Sequence, residues 1–226
     1  MQTAKLILVE GFPGAGKSTT TAHIGSVLQQ QGVACRWFLE EDDPHPIACL
    51  DFEIKGLPEK MIPLWSRFTE HDMQEPIVTI IESRLWQNTA LFMYMSNSKV
   101  GEIIHFNHQL GQALASLSPL LVYLDQEDTE AALHRLYALR GEKWIQLALD
   151  TTTSYPWFQT RGLTDFAGWV QFFAEWQQVV TQLFNDWPHR KIKIQNPHDD
   201  WESAYQQIDT FLKNVYLLSH SAKTRG

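Results

Sequence analysis

Nine residues near the start, Gly11-Phe12-Pro13-Gly14-Ala15-Gly16-Lys17-Ser18-Thr19, restrict this chain more than any other stretch. They match G-x-x-x-x-G-K-[ST], the pattern of a phosphate-binding P-loop. The run before them, Ala4 to Glu10, is short, apolar and β-branched, as a buried parallel strand should be. The run after them, Ser18 to Gln31, has helix-forming composition and stops at Gly32, a natural C-cap residue. The motif therefore sits in the strand–loop–helix setting that it needs. Glycine frees the backbone to take conformations that a Cβ forbids, so consecutive N–H groups can turn inward toward phosphate oxygens. The helix start adds the positive end of its dipole. Gly11, Pro13, Gly14, Ala15, Gly16, Lys17, Ser18 and Thr19 are the expected nucleotide-binding residues. Lys17 supplies a point charge for the terminal phosphates, and Ser18 offers a hydroxyl to Mg²⁺. ATP and Mg²⁺ are thus the expected cofactors.

The remaining 217 residues narrow the field by exclusion. A length of 226 residues suits one α/β domain with insertions. A formal net charge of −8 argues against nucleic acid as a partner, because neutralising a phosphate backbone takes a basic face. Two cysteines, Cys35 and Cys49, make neither a disulfide framework nor a zinc site. No apolar run approaches membrane-spanning length, and the N-terminus leads straight into a strand without a signal-peptide layout. A reducing cytoplasm is the expected location. The sequence leaves the oligomeric state open, a homodimer included. Nine tryptophans could line a pocket, but large aromatics more often fill cores.

Ala34 to Leu39 reads as a second strand. It runs into Glu40-Glu41-Asp42-Asp43 and Pro44-His45-Pro46. Ligands of open α/β sheets bind beyond the carboxyl ends of the strands, so Glu40, Glu41 and Asp42 are candidates to face an acceptor substrate. Gly56 to Gln74 reads as a partly helical insertion, with Arg67 on its surface. Pro76 to Glu82 is the clearest third strand. Glu82 at its end can hold Mg²⁺ through water, or can merely cap the next helix. Arg84 can take an anionic group bidentately, and Trp86 lies beside it as a candidate substrate contact. Leu85 to Met95 and Val100 to Leu117 read as helices. His105 and His108 stand three apart on the second; without a third ligand, two surface histidines are the simpler reading.

Pro119 to Asp125 reads as a fourth strand, followed by a helix over Ala131–Leu139 that carries Arg135. Arg140 and Lys143 follow; they are helix-end dipole partners or, near a P-loop, cover for a transferring phosphoryl group. Leu149 to Gly162 shows no period and reads as a mobile loop. Asp165 to Asp186 is a long helix with a broad apolar stripe expected in the core. Lys191 to Gln195 is a short fifth strand, and Asp199 or Asp200 caps a final amphipathic helix. Residues 1–219 form one domain, with an insertion at about 57–75, a lid at about 135–162, and a tail from 220.

Strands alternating with helices predict a mostly parallel sheet covered on both faces. The P-loop at Gly11–Thr19, the strand ending at Glu82, Tyr123-Leu124-Asp125 leading into a helix, and Arg135 and Arg140 together resemble the P-loop kinases of nucleosides and nucleotides. Thymidylate kinase and the deoxynucleoside kinases are the most similar, from Ala4 to about Leu212. The resemblance implies a three-layer α/β/α P-loop NTPase fold with a five-stranded parallel sheet ordered 2-3-1-4-5. It also implies a flexible lid after Arg135 that holds Arg140 and Lys143. That family carries Asp-Arg or Glu-Arg-Ser after its third strand, whereas this chain has Glu82-Ser83-Arg84.

The expected reaction is phosphoryl transfer from a nucleoside triphosphate to a small-molecule acceptor, with Lys17, Glu40, Glu82 and Arg140 at the chemistry. A phosphate acceptor needs arginines to hold it, while a hydroxyl acceptor gains from a carboxylate base. Glu40, Glu41, Asp42 and Glu82 outnumber Arg67 and Arg84, which favours a hydroxyl. A signalling GTPase would carry Asn-Lys-x-Asp and an ABC-type ATPase Leu-Ser-Gly-Gly-Gln; neither occurs in this chain. A nucleotide-binding module that never transfers phosphate is the competing reading, because a P-loop demonstrates binding rather than turnover.

Overall fold

The five expected strand segments become parallel strands in a computed structural model that describes residues 4–47 and 56–223. They are β1 (Leu6–Gly11), β2 (Cys35–Phe38), β3 (Val78–Glu82), β4 (Leu120–Asp125) and β5 (Arg190–Gln195). Their order is β2-β3-β1-β4-β5, and every neighbouring pair is parallel. This is the all-parallel 2-3-1-4-5 order that the sequence led us to expect. The central strands β3 and β4 are buried throughout, and β1 is buried except at Gly11. The outer strands β2 and β5 are only half-buried, and their sequences mix polar with apolar residues. Cys49 lies outside the described residues.

Handedness then assigns the helices to layers. A parallel crossover is almost always right-handed, so connections running in opposite directions along the sheet lie on opposite faces. The step from β1 to β2 runs one way and carries α1 (Lys17–Gln30). The steps from β2 to β3, β3 to β4 and β4 to β5 run the other way. They carry α2 (Leu57–Gln74), α3 (Leu91–Met95), α4 (Val100–Leu114), α5 (Thr129–Arg140), α6 (Glu142–Thr152), α7 (Pro156–Gln159) and α8 (Phe166–Asp186). The last helix, α9 (Trp201–Lys223), returns to pack beside α1 and β5. Asp128, Asp165 and Asp200 cap the starts of α5, α8 and α9, their carboxylates accepting from Ala131 N (2.8 Å), Gly168 N (2.9 Å) and Ser203 N (3.0 Å).

Three stretches differ from the sequence reading. The insertion at 57–74 is one continuous helix, with Pro58 in its first turn and Pro63 inside. The helix from Val100 ends at Leu114 and tightens into a 3₁₀ turn at Ala115–Leu117. The presumed loop at 149–162 holds the end of α6 and the short helix α7. Its order comes from Trp157 and Phe158, both buried and packed on Phe172 at ring distances of 5.0 and 4.9 Å. Tertiary burial here overrides a sequence with no helical period. Six of the nine tryptophans (Trp65, Trp86, Trp157, Trp169, Trp176 and Trp187) are buried, which supports the core reading. No helix among the described residues is long and apolar enough to cross a membrane.

Candidate functional site

The strand order has one switch point. The connection leaving β1 runs toward β2, while the one leaving β3 runs past β1 to β4, so a crevice opens at the carboxyl ends of β1 and β3. The loop after β1 is the glycine-rich motif, and the residue ending β3 is Glu82, in register with Val9. The fold thus brings together the two parts of the sequence expected at the chemistry.

Gly14 and Gly16 hold φ of 77° and 86°, the left-handed region that L side chains rarely enter. This geometry turns the loop over the first turn of α1. Gly11 closes β1, Ala15 is buried with its N–H on Phe12 O (3.0 Å), Pro13 is half-buried and Thr19 is exposed. Lys17 is buried, and its Nζ reaches back to Phe12 O at 3.1 Å. Burial pushes its ammonium below the usual lysine range; the Glu40, Glu10 and Glu82 carboxylates pull it back up, and Arg140 adds to the lowering. Lys17 and Arg84 are thus the two cations that feel these three acids.

Ser18 Oγ donates to Glu82 Oε1 at 2.8 Å. The other carboxylate oxygen of buried Glu82 accepts from the Glu40 N–H at 3.3 Å. The Glu40 side chain accepts from Gln87 Nε2 at 3.1 and 3.4 Å, and its carbonyl accepts from Arg84 Nη2 at 2.5 Å. Burial raises the Glu40 carboxyl, and the Lys17 charge opposes that rise. Ser83 explains how Arg84 comes to be here. It is buried with φ 59°, an unusual setting for a non-glycine residue, and this sharp turn swings the following arginine toward the β2 side.

The other expected site residues are more scattered. Glu41 is exposed. Asp42 is exposed too, and its carboxylate accepts from Leu39 N at 2.7 Å, closing the turn that carries Glu40. Trp86 is buried, bonds Asn107 Oδ1 through its Nε1 (2.8 Å), and packs on Tyr123 and Trp187; it forms the crevice floor. Arg140 is exposed at the end of α5, with its guanidinium 5.5 Å from the Trp144 ring. Arg135 bonds Gln126 Oε1, and Lys143 and Arg67 are exposed. Asp125 is tied to Gln177 and to Lys193 Nζ (3.1 Å), holding β4 to its neighbours. His105 and His108 are exposed on α4.

Several residues at the site were not singled out from the sequence. Glu10 is the foremost. It is buried on β1, and its carboxylate accepts three main-chain N–H groups: Leu85 (2.6 Å), Trp86 (3.2 Å) and Gln87 (3.2 Å). It thereby caps the π-helical turn Trp86–Ala90. A lone carboxylate in an apolar strand was the available signal, since a buried Glu is rare without partners. Gln87, which orients Glu40, carried no signal of its own. His45 is buried at the rim, with Nδ1 accepting from Ile47 N at 2.9 Å; burial, aided by the Arg84 charge, lowers it to about 4. Phe12, inside the loop, packs on Phe173 of α8 at 5.1 Å.

Glu10 gives a pH prediction. Burial lifts its carboxyl from 4.5 to about 7, against the pull of the three N–H donors and Lys17. The folded state holds the proton more tightly than the unfolded chain, so this group's contribution is full below pH 4.5 and is lost as pH rises through about 7. The loss is on the order of 3 kcal/mol, or roughly 6 °C or more in melting temperature for a domain of this size. Glu10→Gln removes the titration. Thermal melts from pH 4.5 to 8 should fall more steeply for the wild type than for the variant; parallel curves would show that Glu10 does not titrate in this window.

No family model matches the chain, and no curated protein matches it. Among solved structures it is similar to deoxyadenosine kinase from M. mycoides with bound dATP, at 17% identity and a TM-score of 0.48, covering 92% of this chain and 99% of that one. It is also similar to thymidylate kinase from Candida albicans, at 15% identity and a TM-score of 0.46, covering 92% of this chain and 93% of that one.

Proposed function

We propose that this chain is an ATP-dependent phosphotransferase acting on a hydroxyl of a small metabolite or nucleoside, with a nucleotide acceptor as the nearest variant. One observation carries the reading: Ser18 Oγ and Glu82 Oε1 stand 2.8 Å apart, beside a Lys17 ringed by carboxylates. Gly14 and Gly16 hold the left-handed φ that turns a loop around an anion, which fits a phosphate tail. A hydroxyl and a carboxylate are hard oxygen donors, which fits Mg²⁺ that keeps waters and is completed by phosphate oxygens. No group of three or more His, Cys, Asp or Glu able to hold a metal stands among the described residues, so the ion would depend on those phosphates. Ser18 would ligate it, and Glu82 would act directly or through water. Once bound, the ion would offset charge developing on the terminal phosphate oxygens.

The chain's own residues have distinct tasks in this reading. Lys17 draws in the terminal phosphates and stabilises charge on them. Glu40 is the base for the acceptor hydroxyl. Its carboxyl is raised by partial burial, which strengthens it as a proton acceptor, and Gln87 fixes its direction. Arg84 holds the Glu40 main chain in place. Arg140, close enough to Lys17 to shift its proton affinity, covers the transferring group from α5.

One observation favours the second reading, a nucleotide-binding module without an acceptor. The cavity bounded by Glu10, Phe12, Trp86, Gln87, Phe173 and Gln177 measures about 10 Å³, the size of one water. An acceptor seated there would have to displace the α8 aromatics. Incubating the protein with Mg-ATP and pools of nucleosides, nucleoside monophosphates and polyols, while following ADP release, separates the two readings. ADP release that depends on a hydroxyl-bearing pool is expected. ATP binding with no release in any pool would overturn the phosphotransferase.

A further inference from the structure

The outer side of the phosphate loop is held by the start of the last helix, which no step above uses. A Cβ placed on Gly16 would lie 2.4 Å from Trp201 Cη2 and 2.8 Å from Cζ2, so the indole edge rests directly against the glycine backbone. His198 Nε2 donates to Gly14 O at 2.9 Å. The two left-handed glycines of the loop therefore each have a partner from the same four-residue stretch.

That stretch is itself fixed from several sides. Asn196 N donates to Asp125 O (3.0 Å), and Asp199 N donates to Asn196 O (2.9 Å). The His198 ring meets Trp201 edge-on at 5.2 Å, and Trp201 lies 5.4 Å from Tyr205. Tyr205 stacks on His23 of α1 at 4.0 Å, and His23 pairs with Asp209 at 2.8 Å. A continuous row of rings thus ties α1 to α9 and ends on the loop.

We propose that Trp201 and His198 are positioning residues that hold the phosphate loop in its anion-receiving shape before nucleotide arrives. Glycines at left-handed φ have the most backbone freedom to lose. A loop already held in the bound shape does not spend binding energy on ordering itself. The indole limits the swing of Gly16 and the imidazole limits that of Gly14. This rests on the phosphate-loop reading above, and the test keeps the two separable.

Titration calorimetry of the full chain with Mg-ATP and with inorganic tripolyphosphate is the experiment. Trp201→Ala should weaken both probes by the same factor, about tenfold. Trp201→Phe keeps a flat ring against Gly16 and should recover most of the loss. His198→Ala, which removes one hydrogen bond, should weaken both probes about threefold. Equal affinities in the wild type and Trp201→Ala overturn the proposal. So does a loss confined to Mg-ATP, which would place the indole on the base instead of the loop. Should Trp201→Ala fail to fold by circular dichroism, His198→Ala decides, and unchanged tripolyphosphate affinity in it overturns the proposal. A wild type that binds neither probe overturns the phosphate-loop reading itself.

Discussion

Lys17→Ala is expected to erase the thermal stabilisation that Mg-ATP gives, with the folded structure retained. Ligand at 100 times its dissociation constant adds about 2.7 kcal/mol to the wild type, or roughly 5–10 °C in a domain this large. The variant should show a shift near zero under the same conditions. The expectation follows from where the side chain sits. Lys17 is buried, its ammonium bonds only a loop carbonyl, and three carboxylates supply the opposing charge. Its main-chain bonds and the packing of α1 do not depend on the ammonium, so circular dichroism should be unchanged. Without that cation, triphosphate would meet the Glu40 and Glu82 carboxylates with one positive charge fewer at the loop, and like charges repel strongly in a low-dielectric crevice. Differential scanning fluorimetry with and without Mg-ATP is the check, and an undiminished shift in the variant would remove the phosphate cradle from this account.

Glu82→Gln is the second large effect, and it should divide differently. Turnover should fall about 100-fold, as when a metal loses an oriented outer partner, while nucleotide affinity changes by no more than about threefold. The amide retains size and one acceptor oxygen, so Ser18 Oγ can still find a partner there. What disappears is the negative charge next to Ser18, where Mg²⁺ would bind in the proposed reaction, and half of the contact that links Ser18 to the Glu40 main chain. Steady-state ADP release gives the rate, and calorimetry with a non-hydrolysable ATP analogue gives the affinity. Equal losses in the two would place Glu82 in ground-state binding alone.

Much of the fold was legible because its signals are local. A β-branched run, a glycine loop and a helix occur in immediate succession at residues 4–31, and β3 and β4 are likewise short, largely apolar runs. The strand order came from the resemblance rather than from periodicity, and the parallel 2-3-1-4-5 sheet agrees with it. The site was legible only where one residue type announces its chemistry. Lys17, Ser18 and Glu82 do so; Gln87 does not, because an amide near a helix start has many ordinary roles. Glu10 was hidden by its context, a single acid inside an otherwise apolar strand whose three partners lie 75 to 77 residues away. The short helix α7 was missed for a similar reason. Its order depends on Phe172, on another helix, and no local pattern encodes that contact. Arg84 shows a third kind of gap. Where it points is set by the left-handed turn at Ser83, a backbone choice that composition alone does not reveal.

The three amides on the Glu10 carboxylate have a consequence for how two substrates would communicate in the proposed reaction. Glu10 is the residue immediately before Gly11, and its side chain clasps the segment from which Gln87 directs Glu40. In the proposed reaction, donor and acceptor ends of the crevice would be spliced through this one side chain. A triphosphate that tugged the loop would be felt one peptide away, and from there at Glu40. By reciprocity, an acceptor that settled Glu40 would then favour the donor.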